Sequence, residues 1–177
     1  AAIATCGKGT ITSCDIHEHK VPLIQNGAAR LGLENLTAKQ QDASENVADW
    51  NGTFDAVIAD VPCSGYGIIR KKPDIRYKKI DEMADLPALQ LAILKNQSRY
   101  VKPGGLLMYS TCTLVRAENE EVVESFLKDN TDFYLEPLPL PDCFPKNSSG
   151  MLALVPGEYD TDGFFIARMR RKACTNT

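Results

Sequence analysis

The feature that most constrains this chain is a change of period along it. Short apolar or β-branched runs, each ending on a polar residue, are interleaved with stretches whose apolar residues recur every three or four positions. Extended residues alternate between two faces and helical ones return to a face about every 3.6 positions, so one kind of element cannot satisfy both patterns. A first strand is predicted at Thr10 to Cys14, ending at Asp15, on β-branched Thr10, Ile11 and Thr12. A helix follows on Val21, Ile24, Ala28 and Leu31, with Gly32 placed to close it. Thr37 to Gln41 is a short strand candidate ending at Asp42, and Phe54 to Ala59 reads as a buried strand ending at Asp60. Residues 61 to 83 hold no period and are punctuated by Pro62, Gly65, Gly67 and Pro73, the pattern of a long functional loop. Leu86, Leu89, Ile93, Leu94 and Val101 mark the next helix, which Pro103-Gly104-Gly105 should break. Leu106 to Ser110 is then an apolar strand ending at Thr111-Cys112. Glu118 to Lys128 is an amphipathic helix, with Val122, Val123, Phe126 and Leu127 on one side and acids on the other. Met151 to Val155 and Gly163 to Met169 are two late strands with no helix between them.

Strands alternating with helices predict an α/β fold with a doubly wound, mostly parallel sheet covered on both faces, and the last two strands predict an antiparallel C-terminal hairpin at one edge. The 177 residues, 44% of them hydrophobic, suffice for one domain with a sizeable core and leave no room for a second. Twenty Lys and Arg against 23 Asp and Glu give a net charge of −3, so affinity for a polyanion must come from a local patch. No run approaches the roughly 18 apolar residues that a membrane helix needs, and the first residues lack the basic flank of a signal peptide. The expectation is a cytoplasmic protein with no membrane partner. The six cysteines, at 6, 14, 63, 112, 143 and 174, include no Cys-x-x-Cys pair, which weakens both a redox reading and a structural zinc reading.

In open α/β sheets ligands lie beyond the carboxyl ends of the strands, so the residues just after strands carry the interest. Asp15 and Asp42 stand at two such ends, where a carboxylate can accept hydrogen bonds from a ribose or can simply cap a turn. Asp60-Val61-Pro62-Cys63-Ser64-Gly65 and Tyr109-Ser110-Thr111-Cys112-Thr113 each place a thiol after an apolar strand. A thiol in such a place is either an inert buried side chain or a nucleophile. Between residues 70 and 79, Arg70, Lys71, Lys72, Arg76, Lys78 and Lys79 face a single acid, Asp74, an island that could contact phosphates or merely be solvated. Tyr66 and Tyr77 could stack on bases or pack the loop. Cys14, Asp15, His17 and His19 cluster like metal ligands, although ligands on one short turn rarely close a tetrahedral site, so no metal is expected.

Asp60-x-Pro62-Cys63-Ser64-Gly65, Gly67-x-x-Arg70-x-x-Pro73-Asp74, Pro103-Gly104-Gly105 and Thr111-Cys112, in this order, resemble the RNA cytosine carbon-5 methyltransferases of the NOL1/NOP2/Sun family. The resemblance runs from Asp15-Ile16 to Asp162-Gly163-Phe164-Phe165. It implies a Rossmann-like methyltransferase fold, S-adenosylmethionine as cofactor, and RNA, from the small ribosomal subunit, rather than DNA as partner. Cys112 matches the family's nucleophile, Cys63 the thiol that assists product release, and Asp60 the motif aspartate near the methionine end of the cofactor and the target base. Asp15 matches the acid on the cofactor ribose and Asp42 the one near the adenine. Arg70, Lys71, Lys72 and Arg76 would then contact RNA. The chemistry suits these residue types: a thiolate adding to carbon 6 makes carbon 5 of cytosine nucleophilic, and a carboxyl group on the pyrimidine edge stabilises the charge that moves into the ring.

The Gly-rich loop that should cradle the methionine portion of the cofactor would precede Ala1, together with the first strand of the family's sheet. The expectation is a single catalytic domain over residues 1 to 177, truncated at its N-terminus, with Ala1 to Cys6 as the tail of the helix after that loop. Weak or absent cofactor binding is expected of the chain as given. The absent strand would lie between those ending at Asp15 and Asp60, leaving both with unpaired edges. A noncatalytic RNA-binding fragment is the alternative function. Cys6, Cys14, Cys143 and Cys174 have no assigned role.

Overall fold

The computed structural model describes residues 8–77, 83–142, 144 and 148–173. The expected helix tail at Ala1 to Cys6, the basic residues Lys78 and Lys79, and Cys6, Cys143 and Cys174 lie outside the described residues. The chain divides into two compact units, Ala1–Glu45 and Asn46–Thr177.

In the first unit, β1 (Ile11–Asp15) and β2 (Leu36–Gln40) pair in parallel, joined by helix α1 (Val21–Arg30). Gly32 takes φ 64, as closing the helix requires, and the following Leu33 N–H donates back to the Ala28 carbonyl at 2.9 Å. Pro22 stands in the first turn of α1, where its missing N–H costs nothing.

The second unit is a mixed sheet ordered β3 (Phe54–Asp60), β4 (Val101–Thr111), β7 (Phe164–Arg171), β5 (Phe133–Leu135), with β6 (Met151–Leu154) also on β7. β3 and β4 are parallel, whereas β7 runs antiparallel to β4, β5 and β6. The C-terminal antiparallel part is thus wider than the expected edge hairpin: β7 is an interior strand, and the three-residue β5, which the pattern did not reveal, extends the edge that β6 begins. Between β3 and β4 come a long segment with 3-10 turns at Tyr66–Ile68 and Pro73–Tyr77, then helix α2 (Leu86–Tyr100). Helix α3 (Glu120–Asp129) follows β4.

Two expectations about β3 and β4 are corrected. Helix α2 ends at Tyr100, and Val101 to Gly105 belong to β4 rather than to the helix and its break. The register shows how Pro103-Gly104-Gly105 fits a strand: Phe54 pairs with Val101 but Ala56 with Leu106, so Asp55 faces a bulge of Lys102 to Gly105. Gly104 takes φ 79 within it, and its carbonyl accepts from Arg170 Nη1 at 2.7 Å. The second correction is that β3 is not buried on both faces. Val57 and Ala59 are buried but Ile58 is 55% exposed, and among the described residues β3 pairs only with β4. β1 likewise pairs only with β2 among the described residues.

The core of the second unit lies where α2 packs against β3 and β4 and α3 packs against α2, with Phe126 of α3 edge-on to Phe133 of β5. Leu107 and Tyr109 of β4 and their register partners Met169 and Ala167 of β7 have no exposed surface, nor have Leu94 of α2 and Val123 and Phe126 of α3. Each such large side chain contributes about 1.5–3 kcal/mol by leaving water. Trp50, Phe54 and Tyr100 pack edge to face where α2 ends and β3 begins, with Trp50 5.6 Å from the Tyr100 ring. The strand ends beyond this core are therefore held on a rigid base. No helix among the described residues is long and apolar enough to cross a membrane.

Candidate active site

In the second unit the adjacent parallel strands β3 and β4 stop side by side, with Asp60 in register with Ser110. Ser110 Oγ donates to Asp60 Oδ1 at 2.9 Å and fixes that carboxylate at the strand end. Three residues after β3, and directly after β4, the chain delivers the two thiols that the sequence singles out. Cys63 Sγ and Cys112 Sγ are 3.2 Å apart, and the Cys112 backbone N–H donates to Cys63 Sγ at 3.3 Å. Both are free, half-buried thiols. Burial, with the contact to Cys112, pushes the Cys63 thiol up to about 12. Cys63 therefore keeps its proton at neutral pH. The structure brings Asp60, Cys63 and Cys112 to one strand edge, as the sequence predicts.

A buried polar set that the sequence pattern did not reveal surrounds these thiols. Glu118, counted among the solvent-facing acids of an amphipathic helix, is instead only 4% exposed, in a 3-10 turn (Arg116–Glu118) before α3. Its Oε2 accepts from the Ser64 backbone N–H at 2.8 Å and from Gln90 Nε2 at 2.9 Å. Gln90 Nε2 also donates to the Pro62 carbonyl at 2.9 Å. Ser64 Oγ and Thr113 Oγ1 share a hydrogen bond of 2.8 Å. Asn119 accepts from Thr111 Oγ1 at 2.6 Å and donates Nδ2 to the Thr113 carbonyl at 3.0 Å. Two signals were available: Glu118-Asn119 follows Cys112 closely, and Gln90 interrupts the apolar face of α2.

The loop after Cys63 is stitched to the thiols by glycine. Gly67 N–H donates to the Cys112 carbonyl at 3.0 Å, and Gly163 N–H donates to the Gly67 carbonyl at 2.8 Å. Two backbones can approach this closely only where neither carries a Cβ. Beside this crossing Asp162, 4% exposed, holds Lys71 Nζ at 2.5 Å and has Arg70 Nη2 at 3.7 Å. Arg70 and Lys71 are thus gathered at one buried carboxylate. Lys72 is exposed, and Arg76 Nε donates to the Pro73 carbonyl at 3.2 Å while its guanidinium lies 6.0 Å from the ring centre of the exposed Tyr77.

In the first unit, Asp15 and Asp42 stand at and just beyond the ends of the paired β1 and β2. Asp15 accepts from the His17 backbone N–H at 2.9 Å and from Lys20 Nζ at 3.2 Å, and these bonds hold it below its ordinary value. Asp42 Oδ1 accepts from Ser44 Oγ at 2.6 Å and from the Ser44 N–H at 2.8 Å, which lower its value too. Both carboxylates close local turns and are ionised acceptors at neutral pH, with Asp42 Oδ2 outside the Ser44 bonds. The metal-like cluster does not form: among the described residues no group of three or more His, Cys, Asp and Glu could hold an ion, and His17 and His19 stack with ring centres 5.4 Å apart.

Residues 2–170 match the family model described as 16S rRNA methyltransferase RsmB/F. The chain is 45% identical over 173 residues to a probable ribosomal RNA small subunit methyltransferase B of Bacillus subtilis (strain 168), covering 93% of this chain and 38% of that protein. It is 36% identical over 172 residues to a ribosomal RNA small subunit methyltransferase F of Citrobacter koseri, covering 94% of this chain and 36% of that protein. The chain thus spans under two-fifths of the length of these relatives. Among solved structures, NSun6 from Pyrococcus horikoshii with SFG superposes with a TM-score of 0.81 at 26% identity, over 96% of this chain and 43% of that one. A methyltransferase homolog protein from the same organism gives 0.74 at 30% identity, over 93% of this chain and 54% of that one.

Proposed function

This chain belongs to the RsmB/F family of 16S rRNA methyltransferases, and from that premise we propose that it transfers a methyl group from S-adenosylmethionine to carbon 5 of a cytosine in small-subunit ribosomal RNA, through a covalent adduct to Cys112. The observation that carries this reading is the pair of thiols 3.2 Å apart just past the ends of two parallel strands, the first of which ends on Asp60. A methyltransferase acting on a nitrogen or a ribose oxygen needs no thiol, whereas a carbon that is a poor nucleophile needs one to activate it.

In this reading the roles are those that the resemblance implies for these residues. Cys112 Sγ adds to carbon 6 of the ring, and Asp60 hydrogen-bonds the pyrimidine edge as charge moves into it. Carbon 5 takes the methyl group, its proton passes to a base, and the sulfur–carbon bond breaks to release both product and thiol. Cys63 sits against Cys112 with a proton at neutral pH, as a group assisting that release requires.

When bound, S-adenosylmethionine supplies an electrophilic methyl group. NSun6, a structural neighbour, carries SFG, an analogue of this cofactor. The residues present fit it, since Asp15 and Asp42 are ionised acceptors at the ends of adjacent parallel strands, where ribose and adenine donors would be met. The target base must leave its stack to reach half-buried thiols, which favours unpaired RNA over duplex DNA. Arg70, Lys71, Lys72 and Arg76 supply phosphate contacts beside the site. A cytoplasmic enzyme belongs to the same reading.

The test uses the full natural chain that contains these residues, 16S rRNA transcript and cofactor labelled in its methyl group. Label recovered as 5-methylcytidine after nuclease digestion is the expected result. Label on a ribose or a ring nitrogen would overturn the carbon-5 assignment, and RNA binding without label would favour a noncatalytic RNA-binding role.

A further inference from the structure

We propose that Gln90, Glu118 and Asn119 are positioning residues that set the two thiols against each other: Gln90 and Glu118 grip the chain on either side of Cys63, and Asn119 grips it on either side of Cys112. The inference rests on the reading of Cys63 and Cys112 as the reacting pair and assigns residues that the motifs around those thiols do not contain.

The bonds are arranged symmetrically about the two sulfurs. On the Cys63 side, the carbonyl of the preceding Pro62 is taken by Gln90 Nε2 and the N–H of the following Ser64 by Glu118 Oε2, while Gln90 Nε2 also bonds Glu118 Oε2. On the Cys112 side, the hydroxyl of the preceding Thr111 and the carbonyl of the following Thr113 are both taken by the Asn119 side chain. Ser64 Oγ and Thr113 Oγ1 then join the two segments directly. Glu118 and Asn119 are consecutive, so one peptide unit relates the two grips, and the Glu118 carbonyl accepts from Tyr109 OH at 2.5 Å, tying that unit to the core of β4.

A packing role alone does not explain this choice of residues. Gln90, Glu118 and Asn119 are all buried, and apolar side chains of similar volume would fill the space without desolvating a carboxylate and two amides. Gln90 Oε1 is buried without a hydrogen-bond partner among the described residues, so the helix tolerates one orphaned acceptor to keep the amide nitrogen where it is. What the polar set supplies is direction: hydrogen bonds hold the backbone on both sides of Cys63, and the Thr111 hydroxyl and the Thr113 carbonyl on either side of Cys112, and reacting groups displaced by about 1 Å can lose on the order of 100-fold in rate.

The test uses the full natural chain with Gln90→Leu, Asn119→Ala, Glu118→Leu and Glu118→Gln. The first readout is the alkylation rate of each thiol at pH 8, resolved by mass spectrometry of peptides. Gln90→Leu should raise alkylation of Cys63 about tenfold and leave Cys112 within about twofold, and Asn119→Ala should do the reverse. The second readout uses RNA and cofactor. Gln90→Leu and Glu118→Leu should slow adduct release, so that RNA-linked protein accumulates, whereas Asn119→Ala should slow adduct formation. Glu118→Gln keeps an acceptor oxygen for Ser64 and Gln90 and should stay within about threefold of the wild type in both steps. Should Glu118→Leu fail to fold, Gln90→Leu and Asn119→Ala decide alone. Thiol rates that move together in every variant, or do not move at all, would overturn the proposal. Retained methylation in Cys112→Ala would refute the nucleophile assignment instead, and the alkylation rates would still decide the positioning.

Discussion

Replacing Gly67 by Ala should be among the most damaging single-methyl changes available in this chain. A Cβ there would run into the Gly163 carbonyl oxygen and lie 2.7 Å from its carbon and 2.9 Å from the Cys112 carbonyl oxygen. All three are backbone atoms, so no side chain can swing aside and the two segments must separate. Separation breaks the bonds from Gly67 N–H to Cys112 at 3.0 Å and from Gly163 N–H to the Gly67 carbonyl at 2.8 Å. Two hydrogen bonds at about 1 kcal/mol each and about 1–3 kcal/mol for the forced overlap give a loss of about 3–5 kcal/mol. For a domain of this size that corresponds to a melting temperature lower by roughly 6–20 °C. Gly104→Ala is the control: Gly104 has φ +79 but nothing within 4 Å of its would-be Cβ, so it carries only backbone strain of about 1–2 kcal/mol. Urea unfolding of both variants checks this, with midpoint shifts at unchanged slope. A Gly67→Ala loss under about 1 kcal/mol, or one smaller than that of Gly104→Ala, would refute the reasoning.

Three further outcomes follow from the same geometry. Cys63 is raised from the ordinary thiol value of 9.0 to about 12, so its contribution to stability is whole below pH 9 and lost as the pH rises through about 12; Cys63→Ala should flatten that alkaline decline, measured by denaturant midpoints across the range. An unchanged decline would show that the thiol is not raised. Removing both Arg70 and Lys71 should lower the slope of log affinity for single-stranded RNA against log salt by about 0.7 for each phosphate they neutralise, and an unchanged slope would confine these residues to their pairing with Asp162. Tyr100→Phe leaves the Val47 N–H without the hydroxyl it reaches at 2.9 Å and should cost about 1–3 kcal/mol in thermal unfolding, while a loss near zero would mean that water replaces it.

What the sequence revealed and what it hid divide along physical lines. The Leu106 to Ser110 part of β4, and β7, were legible because their apolar content matches what a sheet interior demands, and β3 because Phe54 to Ala59 is a strand-length, mostly apolar run that ends on a polar residue. The two thiols were legible because strand ends are where chemistry collects. The start of β4 was not: Pro103-Gly104-Gly105 reads as a break, and only the bulge opposite Asp55, with Arg170 holding the Gly104 carbonyl, makes it a strand. β5 was missed because three residues carry no period and are fixed by pairing with β7. Ile58 was misread because an apolar run says nothing about how many faces are covered. Glu118 was misplaced for a related reason: a glutamate near an amphipathic helix reads as solvent-facing, and its burial is set by donors on Ser64 and Gln90, distant in sequence.

The most direct test of the central claim is trapping on RNA that carries 5-fluorocytosine, with the full natural chain, S-adenosylmethionine, and separate Cys112→Ala and Cys63→Ala variants. Fluorine at carbon 5 blocks the final proton loss and strands the covalent adduct, which is read as RNA-shifted protein on a denaturing gel. The account predicts that the adduct disappears in Cys112→Ala and persists in Cys63→Ala. Its disappearance in Cys63→Ala alone would contradict the account and make the thiol beside Pro62 the attacker.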